Sequence, residues 1–159
     1  MDQLASLRQH LEQNERTRKR AKRFELSKDD ISRLLNQGTM PALNKITAEL
    51  KPYFQIVKTR GFVSRGRILI QEQNTSFLFQ IHLDSTYSID IVATTVFGTF
   101  PTCTNCRIFN ESIRIEDYEL LTEEKIIGLF SNVFTNRHEI TERIVREEKE
   151  LEENIRQNT

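Results

Sequence analysis

The chain lacks tryptophan altogether and holds only two cysteines, three prolines and five glycines among its 159 residues. Each shortage excludes something. Two cysteines, Cys103 and Cys106, cannot form the disulfide framework that stabilises small secreted domains. So few glycines leave little of the flexible loop on which active sites often sit, and no Gly-rich phosphate loop, HExxH or GxSxG pattern occurs. No run approaches the ~20 mostly apolar residues that a spanning helix needs. The start, MDQLASLRQHLEQ, has no apolar signal core behind a basic beginning. A cytoplasmic protein without a membrane partner is expected. With ten Phe and no Trp, the core must be built on Phe, Ile and Leu.

What is present is charge, unevenly placed. Hydrophobic residues make up 37% and charged residues 29%, a polar balance for a compact globule, and the formal net charge is zero. Residues 1–60 nevertheless hold thirteen Lys/Arg and seven Asp/Glu, whereas residues 111–159 hold seven and thirteen. Arms of opposite sign attract each other or attract charged partners.

Periodicity orders the chain into three parts: an N-terminal helical region 1–52, a sheet core 53–118 and a C-terminal helix 119–159. Leu4, Leu7 and Leu11 fall at helical spacing. The helix they open is expected to run from about Gln3 to Arg23. Ser27 is placed to cap a short second helix carrying Ile31, Leu34 and Leu35, with Gly38 as its C-terminal stop. A third helix is expected from Thr39–Pro41, presenting Leu43, Ile46 and Leu50 and ending at Pro52. Strands follow over Tyr53–Arg60, Phe62–Gln71, Ser76–Leu83 and Tyr87–Phe97, with a bend or bulge expected at Gly66. The third of these alternates: Phe77, Phe79, Ile81 and Leu83 face one way, Gln80 and His82 the other. Short connections predict an antiparallel meander of about four strands with one buried face. A further short strand is expected at Arg107–Phe109 or Ser112–Ile115.

From the capping residue Thr122, Ile126, Phe130, Val133, Ile140, Ile144, Leu151 and Ile155 recur at close to the 3.5-residue spacing of a coiled-coil seam. Arg137 and Glu147 interrupt it, and Thr135–Glu139 offers the alternative of a break between two helices. The fold class is therefore α+β: N-terminal helices, an antiparallel β-meander, and a long C-terminal helix with coiled-coil character.

Three features bear on function. The seam residues Ile140, Ile144, Leu151 and Ile155 need a covering surface, which the N-terminal leucine stripe, a second copy or another protein could supply. The cluster Arg16, Arg18, Lys19, Arg20, Lys22 and Arg23 puts six cations into eight residues. Such a cluster suits phosphate contact better than base reading and would bind with steep salt dependence. The alternative is that it neutralises the acidic C-terminal arm. Cys103 and Cys106 form a lone C-x-x-C, half of what a structural zinc site requires, and are most simply two reduced thiols. His10, His82 and His138 are scattered. Asp84 with Asp90, and Glu72 with His82, are the nearest approach to a catalytic pair, and turn chemistry explains them without catalysis. Glu49-Leu-Lys51 matches the tail of a nuclease motif without its upstream acid.

The sequence thus predicts a non-enzymatic assembly or adaptor protein, with no cofactor, that self-associates or binds a protein partner through its C-terminal helix. The alternative is a DNA- or RNA-binding protein that holds phosphates with its basic N-terminal helix. A small metal-dependent enzyme ranks third.

Overall fold

The computed structural model describes residues 3–22, 26–84, 88–98 and 104–158, with the stretch 17–22 described by its backbone alone. Helix α1 spans Gln3–Lys22, α2 Lys28–Arg33, α3 Met40–Leu50, α4 Glu123–Thr135 and α5 Arg137–Gln157. Between α3 and α4 lie β1 Ile56–Gly61, β2 Arg65–Gln71, β3 Thr75–His82, β4 Ser88–Phe97 and β5 Thr104–Arg114. The strands form one antiparallel sheet in the order β1-β2-β3-β4-β5. This is the α+β meander that the alternating runs predict, with five strands rather than about four. The two short stretches expected after Cys106 belong to one eleven-residue strand.

Period-two alternation sends Ile68, Ile70, Phe77, Phe79, Ile81, Ile89 and Ile91 to one face, where all are buried. Each contributes roughly 1.5–3 kcal/mol by leaving water. Helices α3, α4 and the first half of α5 cover this face. Phe130 and Phe134 on α4, one turn apart, lie stacked at 5.2 Å between ring centroids. Edge-on contacts join Phe77 to both of them and Phe79 to Phe130. Phe54 meets Phe134 edge-on from the α3–β1 connection at 5.7 Å.

The capping signals act as read. The Ser27 hydroxyl accepts from the Asp30 amide at 3.1 Å, and the Thr122 hydroxyl accepts from the Lys125 amide at 3.2 Å. Gly38, by contrast, does not stop α2. Its φ is not positive, and a π-helical stretch, Leu34–Thr39, carries the chain without interruption into α3. Pro41 supplies the reason. It has no N–H for an i→i−4 bond and its ring would strike the carbonyl four residues back. Widening the turn relieves both, and the Met40 amide bonds Leu35 O, five residues earlier. The π turn also sends Leu34, Leu35 and Thr39 together into the core.

Gly66 is a second correction. It is regularly paired, with Gly61 on one side and Ile81 on the other, and no bulge occurs there. What it provides is closeness: a Cβ on Gly66 would stand 2.7 Å from Thr39 Cγ2 and 3.2 Å from Leu43 Cδ1. The irregularity lies instead between β4 and β5. Ala93 pairs with Phe109 and Thr94 with Arg107, which leaves Ile108 as the extra residue of a bulge. Because of it, Cys106 before the bulge, Ile108 at it and Ile113 after it all join the core. Strand β1 begins at Ile56 rather than Tyr53, since the Tyr53 and Phe54 amides still bond to Leu50 O at the end of α3.

The predicted long C-terminal helix is divided. Asn136, at φ −100° and ψ 9°, separates α4 from α5. Arg137 begins α5 and is far from an idle interruption of the seam. Its guanidinium holds Glu72, in the β2–β3 turn, through Nε at 2.8 Å and Nη2 at 2.7 Å. It also donates to Phe134 O at 2.7 Å and stacks over the Phe134 ring at 3.9 Å. This clamp fixes the direction in which α5 leaves the core.

Candidate functional site

Helix α5 packs over β5. Thr141, buried, shares a hydrogen bond with the buried Thr95 on β4 at 3.1 Å. Ile140 and Ile144 lie half-buried against the core on either side of it. Glu148 still stands near Cys106, whose thiol is pushed above its usual range by burial first and by the Glu148 carboxylate second. Past Glu148 the helix leaves the sheet. Leu151 is 61% exposed and Ile155 57% exposed, on the same face as Ile140 and Ile144. The four seam residues are thus two on the core and two in solvent.

At 3.6 residues per turn, the exposed half of α5 is amphipathic in an ordered way. Glu147 flanks the Leu151–Ile155 stripe on one side, and Glu148 and Glu152 flank it on the other. Lys149 and Arg156 fall on the opposite face. Residues 147–157 hold five Glu against one Lys and one Arg.

Helix α1 carries a second exposed stripe, with Leu4 at 59%, Leu7 at 51% and Leu11 at 56%. Residues 3–16 are exposed throughout, Arg16 among them. The helix continues unbroken to Lys22, so Arg16, Arg18, Lys19, Arg20 and Lys22 share one rod, whereas Arg23 lies outside the described residues. Cys103 also lies outside them, and Cys106 is a buried free thiol. Among the described residues, no three His, Cys, Asp or Glu side chains group as metal ligands would. No described helix is long and apolar enough to cross a membrane.

The carboxylates considered for catalysis are otherwise engaged. Glu72 is held by Arg137, with His138 at 3.6 Å, and does not face His82. Asp90 accepts from the hydroxyls of Ser88 and Ser112, both at 2.8 Å. Glu49 is exposed near the end of α3. His10 is exposed on α1, next to Asn14. His82 lies on the outer sheet face opposite Arg65 and Asp90. Burial lowers its pKa first and Arg65 second, with a smaller push from Arg107, against the opposing pull of Asp84 and Asp90.

That outer face is the surface that sequence reasoning missed. No described helix packs across it, since α3, α4 and α5 all join the core on the inner side. The register lays its side chains in rows: Lys58–Leu69–Leu78–Thr94–Arg107, and beside it Arg60–Arg67–Gln80–Val92–Asn110. Arg65 and Arg114 add two cations, and Asp90 is the one acid that the described strands direct to this face. Arg60 and Arg67 stand directly opposite each other, a placement that disfavours the sheet on its own. Both guanidinium groups lie on the Phe62 ring, at 4.8 and 5.0 Å. Among the described residues, no carboxylate forms an ion pair with Arg60, Arg67, Arg107 or Arg114. The signal was available in sequence: the alternation that places Gln80 and His82 outward also places Lys58, Arg60, Arg65 and Arg67 outward.

A groove of about 400 Å³ separates α3 from α4, floored by Ile46, Leu50, Ile127, Phe130 and Phe134 and rimmed by Lys45 and Glu49. Comparison with family models, with curated proteins and with solved structures finds no match.

Proposed function

We propose that this chain is a non-enzymatic assembly protein in which the sheet is a scaffold and the second half of α5 is the docking element. The observation that carries this reading is the exposure of Leu151 and Ile155, 61% and 57%, on a helix whose first half is anchored to the core. An amphipathic helix held rigidly at one end keeps an apolar stripe in water only at a free-energy cost, and a partner surface removes that cost. Because Ile140 and Ile144 pack on the core, the test belongs further along. Leu151→Asp with Ile155→Asp should lower the solution mass measured by light scattering, or abolish capture of a partner, while far-UV circular dichroism stays unchanged. An unchanged mass with unchanged partner capture rejects the reading.

A second reading is supported by the unbroken helix through Lys22, which places Arg16, Arg18, Lys19, Arg20 and Lys22 along one rod. In this reading the rod holds the phosphates of DNA or RNA, and binding weakens steeply with salt. An electrophoretic shift at two salt concentrations tests it. Equal binding after Arg18, Lys19, Arg20 and Lys22 are replaced by Ala removes it.

A further inference from the structure

The outer sheet face and the exposed half of α5 are complementary in three respects. The first is charge. The face presents Lys58, Arg60, Arg65, Arg67, Arg107 and Arg114 around Asp90, and residues 147–157 hold five Glu against two cations. The second is the position of the apolar groups. Leu69 and Leu78 are cross-strand neighbours in the middle of a row that ends in Lys58 and Arg107. On α5 the Leu151–Ile155 stripe is likewise bordered by charges of the opposite sign, Glu147 and Glu152. The third is dimension. Leu151 and Ile155 are about 6 Å apart along the helix axis, against about 4.8 Å between neighbouring strands. The eleven residues 147–157 extend about 16 Å across a sheet whose five strands span about 19 Å.

A single copy cannot make this contact. Its own α5 is held on the inner face by Thr141, Ile140 and Ile144, and the Arg137–Glu72 clamp sets its direction.

We infer that the outer sheet face of one copy receives residues 147–157 of α5 from a second copy, with Leu151 and Ile155 on Leu69 and Leu78 and the flanking glutamates on Arg60, Arg67 and Arg107. This rests on the reading of α5 as the docking element and adds the surface on which it docks. The choice of an acidic helix over a nucleic acid follows from the centre of the face, where Leu69, Leu78 and Val92 are aliphatic. Base stacking needs aromatic platforms, and Phe62, the aromatic ring that the described residues place at this face, is already overlaid by two guanidinium groups. The guanidinium pair Arg60–Arg67, opposed across the strands, gains a counter-charge, since no carboxylate among the described residues of its own copy forms an ion pair with it. Reciprocal exchange of α5 closes a dimer, and one-way docking continues into a chain.

The test is charge reversal followed by its compensation, read by light scattering. Arg60→Glu with Arg67→Glu, both at the rim of the face, should reduce a mass of two or more copies to that of one, with the thermal transition retained. Adding Glu147→Arg and Glu152→Arg to the same chain should restore the assembled mass. Lys58→Glu with Arg107→Glu, at the two ends of the leucine row, serves as a second face variant if the first does not fold. If Leu151→Asp lowers the mass but both face variants assemble like the wild type, α5 docks elsewhere. The docking reading then stands and this inference falls. If Leu151→Asp leaves the assembly intact as well, both fall. A chain that stays monomeric, yet binds a labelled oligothymidylate and loses that binding on Arg60→Glu with Arg67→Glu, assigns the face to nucleic acid and overturns the inference.

Discussion

Replacing Gly66 by alanine should destabilise the fold, and replacing Thr39 by serine in the same chain should recover much of the loss. The new Cβ would stand 2.7 Å from Thr39 Cγ2 and 3.2 Å from Leu43 Cδ1. The first distance is inside van der Waals contact, and both neighbours are fully buried, Thr39 at the end of the π turn and Leu43 on α3. Overpacking of this kind costs roughly 1–3 kcal/mol. Against it runs the strand preference for alanine over glycine, about 0.5–1 kcal/mol, so a net loss of about 1–2 kcal/mol is expected. Thr39→Ser deletes the Cγ2 methyl and should cost about 0.5–1.5 kcal/mol by itself, as removal of a buried methyl does. In the double variant the clash is gone, so the two changes should be less than additive by at least about 1 kcal/mol. Urea denaturation of the four proteins, with the midpoints converted at a common slope, reads the coupling directly. Gly66→Ala as stable as the wild type, or strict additivity in the double variant, would refute the claim that Gly66 exists to admit the π turn.

Three more perturbations follow from the same geometry. Glu72→Ala leaves the Arg137 guanidinium, 15% exposed, without its carboxylate, and should cost about 1–3 kcal/mol. Hydrogen exchange should quicken at the start of α5, and unchanged exchange there would count against the clamp. Because the His82 pKa is held below 6.5 in the folded state, the unfolded chain takes up its proton first as pH falls. The neutral-imidazole contribution is therefore intact above pH 6.5 and is lost as the pH falls from there towards the folded value. His82→Gln should show a smaller drop in the urea midpoint between pH 7.5 and 5.0 than the wild type, and parallel curves would sink the argument. In a Cys103→Ser background, Glu148→Gln should speed alkylation of Cys106 at pH 8, because one of the two causes raising the thiol pKa is removed. An unaltered rate would mean that α5 does not lie over β5 at that point.

Much of the architecture is legible in residue order because it rests on local period. Phe77, Phe79 and Ile81 alternate strictly, and the sheet follows. Ser27 and Thr122 carry hydroxyls where an amide three residues on needs an acceptor, and both helices start there. What was not legible depends on contacts distant in sequence. The π turn at Leu34–Thr39 is prompted by Pro41, but its depth is set by the space above Gly66, which only pairing with β3 defines. Arg137 reads as a flaw in an apolar seam until the β2–β3 turn brings Glu72 beneath it, 65 residues away in the chain. The division of Ile140, Ile144, Leu151 and Ile155 into half-buried and exposed pairs depends on where the sheet ends under α5. The cationic face escaped notice because its members come from three strands, two residues at a time, and none forms a run.

The bulge at Ile108 governs how this sheet meets other sheets. Strand β5 is eleven residues long and lies at the border of the meander, so its outer row of amides and carbonyls is a template on which foreign strands could add. An unpaired residue in its middle twists the strand and interrupts that template, a device that protects border strands from edge-on aggregation. Deleting Ile108 would restore an even ladder and turn residues 104–107 over, carrying Cys106 out of the core and Arg107 into it. The same residue thus keeps the parity of the core and breaks the template at the β5 border, which leaves β1, paired with β2 in unbroken register, as the border strand with a regular ladder.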